Sequence, residues 1–336
     1  MSDHSEPAVN DMSMADKIRG GDRSALARAI TLIESTRDSH RRRAEQLLNE
    51  LITDTNESTR IGITGVPGVG KSTFIEALGN LVLDRGHRLA ILSVDPSSAI
   101  SGGSILGDKT RMESLTRRND VFIRPSPSSG TLGGVARRTR ESIQLLEAAG
   151  FDFIIVETVG VGQSETLVSE MTDLFLLLLL PGGGDELQGI KRGIMELADI
   201  VLVNKADGEM AAVAGRSAAE FANALRLMQC RYSKWSVPVK TCSALHGDGI
   251  EEVFDTIEAF MNMSRINGYY TEQRRNQKVR WFKRELNEAV VDRINRENKL
   301  SQTLQRCEQE VMAGKRSAAS AARSVVDQLF GDDSTR

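Results

Sequence analysis

The chain has 336 residues, of which 40% are hydrophobic and 26% are charged, and its formal net charge at pH 7 is -3. This composition is typical of a globular protein with a full core, and the small net charge argues against nucleic acid as the main partner. The three cysteines, Cys230, Cys242 and Cys307, have no paired spacing, which argues against a disulfide framework or a cysteine metal site and fits a reducing compartment.

The most apolar segments of the chain are short. Residues 1–17 contain no apolar core of the kind that marks a secretory signal. The most apolar run, residues 174–180, is far shorter than the about 20 residues that are needed to cross a bilayer. We therefore expect a cytoplasmic protein that does not contact the membrane.

The N-terminal part has the apolar periodicity of helices. Between about residues 15 and 52, apolar side chains recur at helical spacing, and Leu26, Ala29, Ile30 and Ile33 fall on one face. A polar break follows at 54–59. We predict an N-terminal helical region over residues 1–56.

Seven short apolar runs follow, separated by helical stretches. They are RIGIT (60–64), RLAILSV (88–94), VFIRP (121–125), FDFIIV (151–156), DLFLLLLL (173–180), DIVLVN (199–204) and VPVKTCS (237–243). Runs without polar alternation are typical of strands that are buried on both faces, as in a parallel sheet covered by helices. After about residue 250 no strand pattern returns, and two amphipathic helical stretches occupy the C-terminal part.

A complete phosphate-binding motif follows the first predicted strand. Its residues, with the threonine after them, are Gly65, Val66, Pro67, Gly68, Val69, Gly70, Lys71, Ser72 and Thr73. The glycines let successive N–H groups point at a phosphate, Lys71 supplies a cation to the β- and γ-phosphate oxygens, and Ser72 offers a hydroxyl to Mg²⁺. The positive dipole end of the following helix supports the same site. We therefore predict an α/β fold, a P-loop NTPase three-layer sandwich with a mostly parallel central sheet, over residues 57–262.

Carboxylates after the phosphate motif are candidate magnesium ligands. Asp95 ends a predicted strand in SVDPSS, Asp108 lies in the loop SGGSILGDKTRM, and Glu157 follows FDFIIV. Mg²⁺ takes oxygen ligands and keeps several waters, so only some of these acids and Ser72 can bind it directly. The alternatives are a turn-forming residue for Asp95 and a solvated loop acid for Asp108. The predicted metal ligands are Ser72, Asp95, Asp108 and Glu157.

The stretch ETVGVGQSE (157–165) departs from the pattern of many nucleotide hydrolases. Those proteins place Asp-x-x-Gly here, with a water-orienting glutamine directly after the glycine. In this chain Glu157 replaces the aspartate, Gly160 is kept as a nucleotide contact, and Val161 occupies the position of the glutamine. Gln163 stands two residues further on. Because Val161 cannot orient a water molecule, we expect the free protein to hydrolyse its nucleotide slowly.

A positioned cation could raise this slow rate, as an arginine finger does by roughly 10³–10⁵ in the best-studied cases. The candidates in this chain are Lys191, Arg111 and Arg192. We favour Lys191 because it follows the glycine-rich stretch PGGGDELQGI (181–190) and leads into a helix; the alternative is an ordinary surface lysine. The predicted catalytic residues are Lys71, Asp108, Glu157 and Lys191.

The base is predicted from two later strand ends. After DIVLVN, the Asn-Lys-x-Asp loop contains a carboxylate that can accept from guanine N1–H and N2–H₂ but would repel adenine. The lysine stem can lie along the base plane, and the asparagine can brace the loop or reach N7. After the last strand, a Ser-Ala-Leu loop can donate a backbone N–H to guanine O6. The predicted base-site residues are Asn204, Lys205, Asp207, Ser243, Ala244 and Leu245. The expected ligands are GTP and GDP.

Together the stretches GVPGVGKST, SVDPSS, GGSILGDKTRM, RPSPSSGTLGG, ETVGVGQSE, PGGGDELQGIKRGI and VNKAD resemble the MeaB/ArgK family. These are GTPases associated with methylmalonyl-CoA mutase and similar adenosylcobalamin enzymes. The resemblance extends from the N-terminal helices through the GTPase core and is weaker in the C-terminal helices. It implies a homodimer held partly by the C-terminal helices, which we assign to residues 263–336, and switch loops that signal to the mutase. It also implies that GTP hydrolysis, stimulated by the mutase, gates cofactor loading or release and protects the mutase from inactivation.

Three other functions remain as alternatives. A nickel-delivery GTPase would need clustered soft or imidazole ligands, whereas His4, His40, His87 and His246 are scattered. An ATPase or kinase of an amino-acid transport system, the role historically attached to the ArgK name, is disfavoured by Asn-Lys-x-Asp. A scaffold that binds GTP without turnover is disfavoured by the predicted magnesium ligands.

Overall fold

The structure is a computed structural model. It describes residues 12–52, 57–94, 112–125, 132–158, 164–182, 192–228 and 231–330. The chain divides into two compact units, the first ending at Tyr270 and the second beginning at Thr271. In the described part of the chain, none of the helices combines the length and the apolarity that a membrane span requires.

The first unit is built on one sheet in which every pair of neighbouring strands is parallel. The strands are β1 (Thr59–Gly65), β2 (Leu89–Val94), β3 (Val121–Arg124), β4 (Phe153–Thr158), β5 (Leu174–Leu179), β6 (Ile200–Val203) and β7 (Val239–Thr241). Their order across the sheet is β3-β2-β4-β1-β5-β6-β7. Each predicted run overlaps one strand, although β1 and β4 extend one or two residues beyond theirs. The strands β2, β4, β5 and β6 are buried along their whole length, as unalternated apolar runs indicate. The predicted α/β fold with a parallel central sheet is confirmed.

Helices lie between the strands and before them. In the first unit they are α1 (Met14–Arg19), α2 (Arg23–Glu34), α3 (Asp38–Leu51), α4 (Lys71–Asp84), α5 (Glu113–Thr116), α6 (Leu132–Ala148), α7 (Ser164–Ser169), α8 (Arg192–Leu197), α9 (Ala211–Arg226) and α10 (Ile250–Ile266). A 3₁₀ turn, Gly208–Met210, precedes α9. The later helices are α11 (Tyr269–Arg296), α12 (Asn298–Met312) and α13 (Ala318–Phe330).

The two faces of the sheet are covered by different helices. Ile61 and Ile63 of β1 belong to the core cluster that includes Phe74 of α4 and Phe254 of α10. Gly62 points to the other face, because side chains alternate along a strand. There α7 packs against β1, β4 and β5, and α6 packs against β2. The result is a helix–sheet–helix arrangement.

The N-terminal helices form an additional layer on α6, which α1, α2 and α3 all contact. Leu26, Ala29, Ile30 and Ile33 of α2 are each no more than 2% exposed, so the apolar face predicted from their spacing is buried. The start of α2 is capped by the Asp22 side chain, which accepts hydrogen bonds from the backbone N–H groups of the two residues after Arg23.

The functional motifs meet because all the strands point the same way. The motif Gly65–Thr73 follows β1, Glu157 and Thr158 end β4, Asn204 follows β6, and Ser243 lies two residues beyond β7. In a parallel sheet these carboxyl ends share one edge, where ligands of open α/β sheets bind. The second unit has its own small core, in which Cys307 of α12 packs with Ala321 and Val325 of α13.

Candidate functional site

The loop between β1 and α4 requires glycine at positions where the chain turns or is approached closely. Gly68 and Gly70 have φ angles of 82° and 94°, in the left-handed region that glycine tolerates best. A Cβ atom on Gly70 would stand 2.7 Å from Nδ2 of Asn204, and a Cβ on Gly65 would stand 2.6 Å from the carbonyl oxygen of Leu178. Close packing therefore leaves no room for a side chain at either end of this loop.

Lys71 begins α4 and is buried, with 9% of its surface exposed. Its Nζ donates hydrogen bonds to the carbonyl oxygens of Gly65, at 2.7 Å, and Val66, at 3.3 Å. Burial lowers the pKa of the Lys71 ammonium below its ordinary value, while Glu157 and Glu165 act in the opposite direction. The Lys71 ammonium is thus held against the phosphate loop. A phosphate group bound in the loop would replace the two carbonyl oxygens as its partner.

The other residues of the motif differ in accessibility. Val69 is fully buried, whereas Pro67, Gly68 and Thr73 are exposed and Ser72 is half-buried. The first turn of α4 therefore offers the Ser72 hydroxyl at the edge of the sheet while Val69 anchors the loop in the core.

The Asn-Lys-x-Asp loop has a strained backbone and a fixed carboxylate. Lys205 is the one non-glycine residue of the described chain with a positive φ, 60°, and its side chain is exposed. The Ser243 hydroxyl, which is fully buried, donates to Oδ2 of Asp207 at 2.6 Å. Ser243 thereby holds one oxygen of the carboxylate that is predicted to recognise guanine.

Asn204 joins the phosphate loop to the base loops. Its Nδ2 donates to the carbonyl oxygen of Val69 at 2.8 Å, and its Oδ1 accepts from the backbone N–H of Ala244 at 3.0 Å. The residue is only 1% exposed. Because Ala244 donates to Asn204, the expected N–H donor to guanine O6 becomes Leu245, whose side chain is 75% exposed. Three separate loops are therefore connected through one buried amide.

We expect Asn204→Ala to weaken GDP binding by about tenfold or more, because it leaves a buried carbonyl and a buried N–H without their amide partner. Binding of a fluorescent GDP analogue, followed at equilibrium, measures this effect. Asn223→Ala is the matched control, since Asn223 is an exposed asparagine on α9. Unchanged affinity in a folded Asn204→Ala protein would contradict the assigned connection.

The end of β4 brings further buried polar groups to the same edge. Glu157 is 5% exposed, and the hydroxyl of Thr158 donates to that of Thr64 on β1 at 2.8 Å. Glu165 on α7 is 1% exposed, and the sequence did not single it out. The apolar Val168 and Met171 after it have helical spacing, which could have indicated that a helix begins within the predicted loop.

Several predicted residues lie outside the described part of the chain. They are Asp95, Asp108, Arg111, Gly160, Val161, Gln163 and Lys191. Of the four predicted magnesium ligands, Ser72 and Glu157 are described. Among the described residues, no group of three or more His, Cys, Asp or Glu side chains forms a metal cluster. The complete metal and catalytic sets therefore stay predictions.

Comparisons with known proteins identify relatives that match most of the chain. A probable GTPase of Mycobacterium tuberculosis is 51% identical over 96% of this chain and 96% of its own. The mitochondrial methylmalonic aciduria type A homolog of Mus musculus is 45% identical over 90% of this chain and 75% of its own. The crystal structure of an LAO/AO transport system kinase is similar with a TM-score of 0.75 at 34% identity, covering 95% of this chain and 97% of that chain.

A family model matches most of the chain. Residues 26–299 match the model described as methylmalonyl-CoA mutase-associated GTPase MeaB, so the match runs from α2 through the parallel sheet into α12. This range contains both the phosphate loop and the two base loops that Asn204 connects. The chain therefore belongs to the MeaB family of methylmalonyl-CoA mutase-associated GTPases.

Proposed function

We propose that the protein binds Mg·GTP, hydrolyses it to GDP and phosphate, and uses this cycle as a chaperone and gatekeeper of an adenosylcobalamin-dependent methylmalonyl-CoA mutase. The proposal that the protein binds a nucleotide rests on the two hydrogen bonds of Asn204. A single buried amide contacts both the loop for the phosphates and the loop for the base. The site is thus arranged to hold both ends of one nucleotide.

The base contacts favour guanine over adenine. The Ser243 hydroxyl occupies one oxygen of Asp207, which orients the carboxylate so that it can accept from guanine N1–H and N2–H₂. Adenine has an acceptor at N1 and no amine at C2, so it would leave this charged group unpaired. The exposed Lys205 can lay its stem along one face of the base.

The described residues fit a magnesium ion by their chemistry. Ser72 offers a hydroxyl and Glu157 a carboxylate, and both are hard oxygen donors of the kind that Mg²⁺ prefers. Together with Asp95 and Asp108, they would hold the ion beside the β- and γ-phosphates. There it would neutralise charge that develops on the phosphate oxygens during hydrolysis.

The chain's own contribution to hydrolysis is positioning. The Lys71 ammonium supplies a positive charge at the phosphate loop, and the positive end of the α4 dipole lies at the same place. At the position where related hydrolases have a water-orienting glutamine, Val161 has an apolar side chain, so turnover by the free protein is slow. A partner that brings Lys191 to the phosphates would supply the missing positive charge.

The proposal that a mutase is the client is supported by the names of related proteins. The matching family is described as associated with methylmalonyl-CoA mutase. Two relatives, 45% and 40% identical to this chain, are named methylmalonic aciduria type A homologs. By this reading the nucleotide cycle gates loading or release of adenosylcobalamin and protects the mutase from inactivation.

A homodimer is part of this proposal. The helix α11 carries an exposed apolar row, in which Val279, Phe282 and Leu286 are 47%, 67% and 50% exposed. Their spacing of three and four residues places them on one face of the helix. Such a row is suited to packing against a second copy of the chain.

GTP turnover by the purified protein, alone and with methylmalonyl-CoA mutase from the same organism, tests the proposal. We expect slow turnover alone and an acceleration of at least about tenfold with the mutase, since a positioned cation can contribute far more. ATP is measured in parallel and should not be turned over. Fast turnover alone, or no response to the mutase, would contradict the partner-gated switch, and equal use of ATP would favour a transport-system kinase, the name carried by the solved relative.

A further inference from the structure

A cavity of about 390 Å³ lies at the amino edge of the sheet. Its lining residues come from α8, from the end of α9 and from the stretch that leads into β7. Two of them, Ala198 and Val239, lie at the amino ends of β6 and β7. Asn204 follows the carboxyl end of β6, so about 13 Å of strand lies between the cavity and the loops that Asn204 connects. The cavity is therefore separate from the nucleotide site.

Most of the residues that line this cavity are apolar. They include Met195, Ala198, Leu225, Met228, Val237 and Pro238. The side chains of Met195, Ala198 and Leu225 are buried, so this part of the wall is continuous with the packed interior. Cavities of about 300–1,000 Å³ with apolar walls and a few polar groups are typical of small-molecule sites. The wall is thus suited to the apolar part of a small ligand.

Two arginine side chains, Arg226 and Arg231, also line the cavity, and both are exposed. Neither guanidinium donates a hydrogen bond to a described residue, and their one ion pair there joins Arg231 to Oδ1 of Asp199 at 3.8 Å. That distance is too long for a hydrogen bond. The other oxygen of Asp199 accepts from the backbone N–H of Phe175 at 2.8 Å. Both guanidinium groups therefore have donors for a ligand, in the planar fork that fits a carboxylate.

The combination of charge and apolar wall selects the class of ligand. With the carboxylate of Glu196, the two arginines leave the lining with a formal charge of +1, which favours an anion. An inorganic anion would match the guanidinium groups but would leave the apolar wall without a partner. An uncharged apolar molecule would cover the wall and leave the arginines to water. A carboxylate on a short alkyl chain satisfies both parts of the cavity.

We propose that this cavity binds a small organic monocarboxylate, with its charged group on Arg226 and Arg231 and its alkyl chain between α8 and α9. The ligand would join α8 to the end of α9, because residues of both helices line the space. Since the cavity is separate from the nucleotide site, the inference does not depend on the proposed GTP cycle.

Two methionines of the cavity provide the probe for a test. The full chain is labelled with ¹³C at its methionine methyl groups, and hexanoate is titrated while the NMR shifts are recorded. The variants Met195→Leu and Met228→Leu assign the two signals. We expect both signals to move and to saturate, with a dissociation constant of about 1 mM or lower. The signal of Met261, a core residue outside the cavity, should not move.

Hexanol and inorganic phosphate separate the two parts of the recognition. Hexanol has the alkyl chain without the charge, and phosphate has the charge without the chain. Displacement of hexanoate measures both, and we expect each to bind at least about tenfold more weakly than hexanoate. Hexanol binding as tight as that of hexanoate would show an apolar cavity without anion recognition, and equally tight phosphate binding would show a general anion site. Either result would overturn the proposed ligand class.

Charge-removing variants test the two arginines. Arg231→Gln should raise the dissociation constant of hexanoate by about tenfold, because it removes a charge-assisted contact. Arg226→Gln should raise it at least about threefold, since this arginine is more freely hydrated. Arg216→Gln is the matched control, because Arg216 is an exposed arginine of α9 that does not line the cavity.

Arg231→Gln also removes the charged partner of Asp199, so thermal unfolding checks that this variant folds. If it does not fold, Arg226→Gln decides alone, since Arg226 has no described ion pair to lose. Unchanged hexanoate affinity in the folded variants would overturn the site. Methionine signals of the parent protein that do not respond to hexanoate would overturn it as well.

Discussion

Replacement of Asp207 by asparagine should lower the affinity for GTP by about a hundredfold or more and reverse the preference between GTP and xanthosine triphosphate. The carboxylate of Asp207 is predicted to accept two hydrogen bonds from guanine, and both are charge-assisted. Asparagine can accept only one of them and places an NH₂ group against the exocyclic amine of guanine. Xanthine has a carbonyl oxygen at that position, so the same NH₂ group becomes a donor to it.

The contacts of Asp207 indicate that this substitution leaves the conformation of the loop unchanged. The Ser243 hydroxyl now donates to Oδ2 of Asp207 at 2.6 Å, and it can equally accept from an asparagine NH₂, so the loop keeps its internal hydrogen bond. Competition between GTP and xanthosine triphosphate for the fluorescent GDP analogue measures the preference. Asp248→Asn is the control, since Asp248 is an exposed acid of the neighbouring loop. An unchanged preference for GTP in Asp207→Asn would show that another residue reads the base.

The parallel sheet could be predicted from the sequence because the apolar pattern of each strand is confined to a few consecutive residues. A strand buried on both faces needs apolar residues at every position, so runs such as FIIV within β4 and LFLLLL of β5 are visible without knowledge of their neighbours. The phosphate motif was visible for a similar reason, since consecutive residues line one loop. Helix bounds were less clear, and the continuous pattern over residues 15–52 folds as three helices separated by short breaks.

The connections within the site could not be read from the sequence, because they join distant segments. The amide of Asn204 binds the carbonyl of Val69, which is 135 positions away. The sequence allowed Asn204 either to brace its loop or to reach the base, and the structure shows the bracing contact to a different loop. No local pattern specifies such a partner.

Glu165 illustrates the same limit. An acidic residue in the first turn of a helix is typical of an exposed position that complements the helix dipole, and nothing in QSETLVSEM indicates that this one is buried. Only the packing of α7 on the sheet, with Val168 over Gly62, shows that this end of the helix is buried. Glycine at position 62 permits that approach, and the reason for this glycine is visible only in three dimensions.

Lys71→Ala should abolish tight nucleotide binding, with a loss of about 2–5 kcal/mol in the binding free energy of Mg·GDP. The ammonium is the one cation that the described phosphate loop contributes, and it donates hydrogen bonds to two carbonyl oxygens of that loop. Its removal costs the contact with the phosphates and takes away the positive charge that would offset part of theirs. Both effects weaken binding.

Titration calorimetry with GDP in Mg²⁺ measures the loss, and Lys234→Ala is the control, because Lys234 is an exposed lysine of the same unit. Thermal unfolding without nucleotide separates a lost contact from a lost fold. The effect should be far larger for GDP than for guanosine, which carries no phosphate and meets only the base loops. A parent-like affinity for GDP in folded Lys71→Ala would contradict the phosphate-loop assignment itself, whereas an equal loss for guanosine and GDP would mean that Lys71 holds the loops together through the Gly65 and Val66 carbonyls and is not a phosphate ligand.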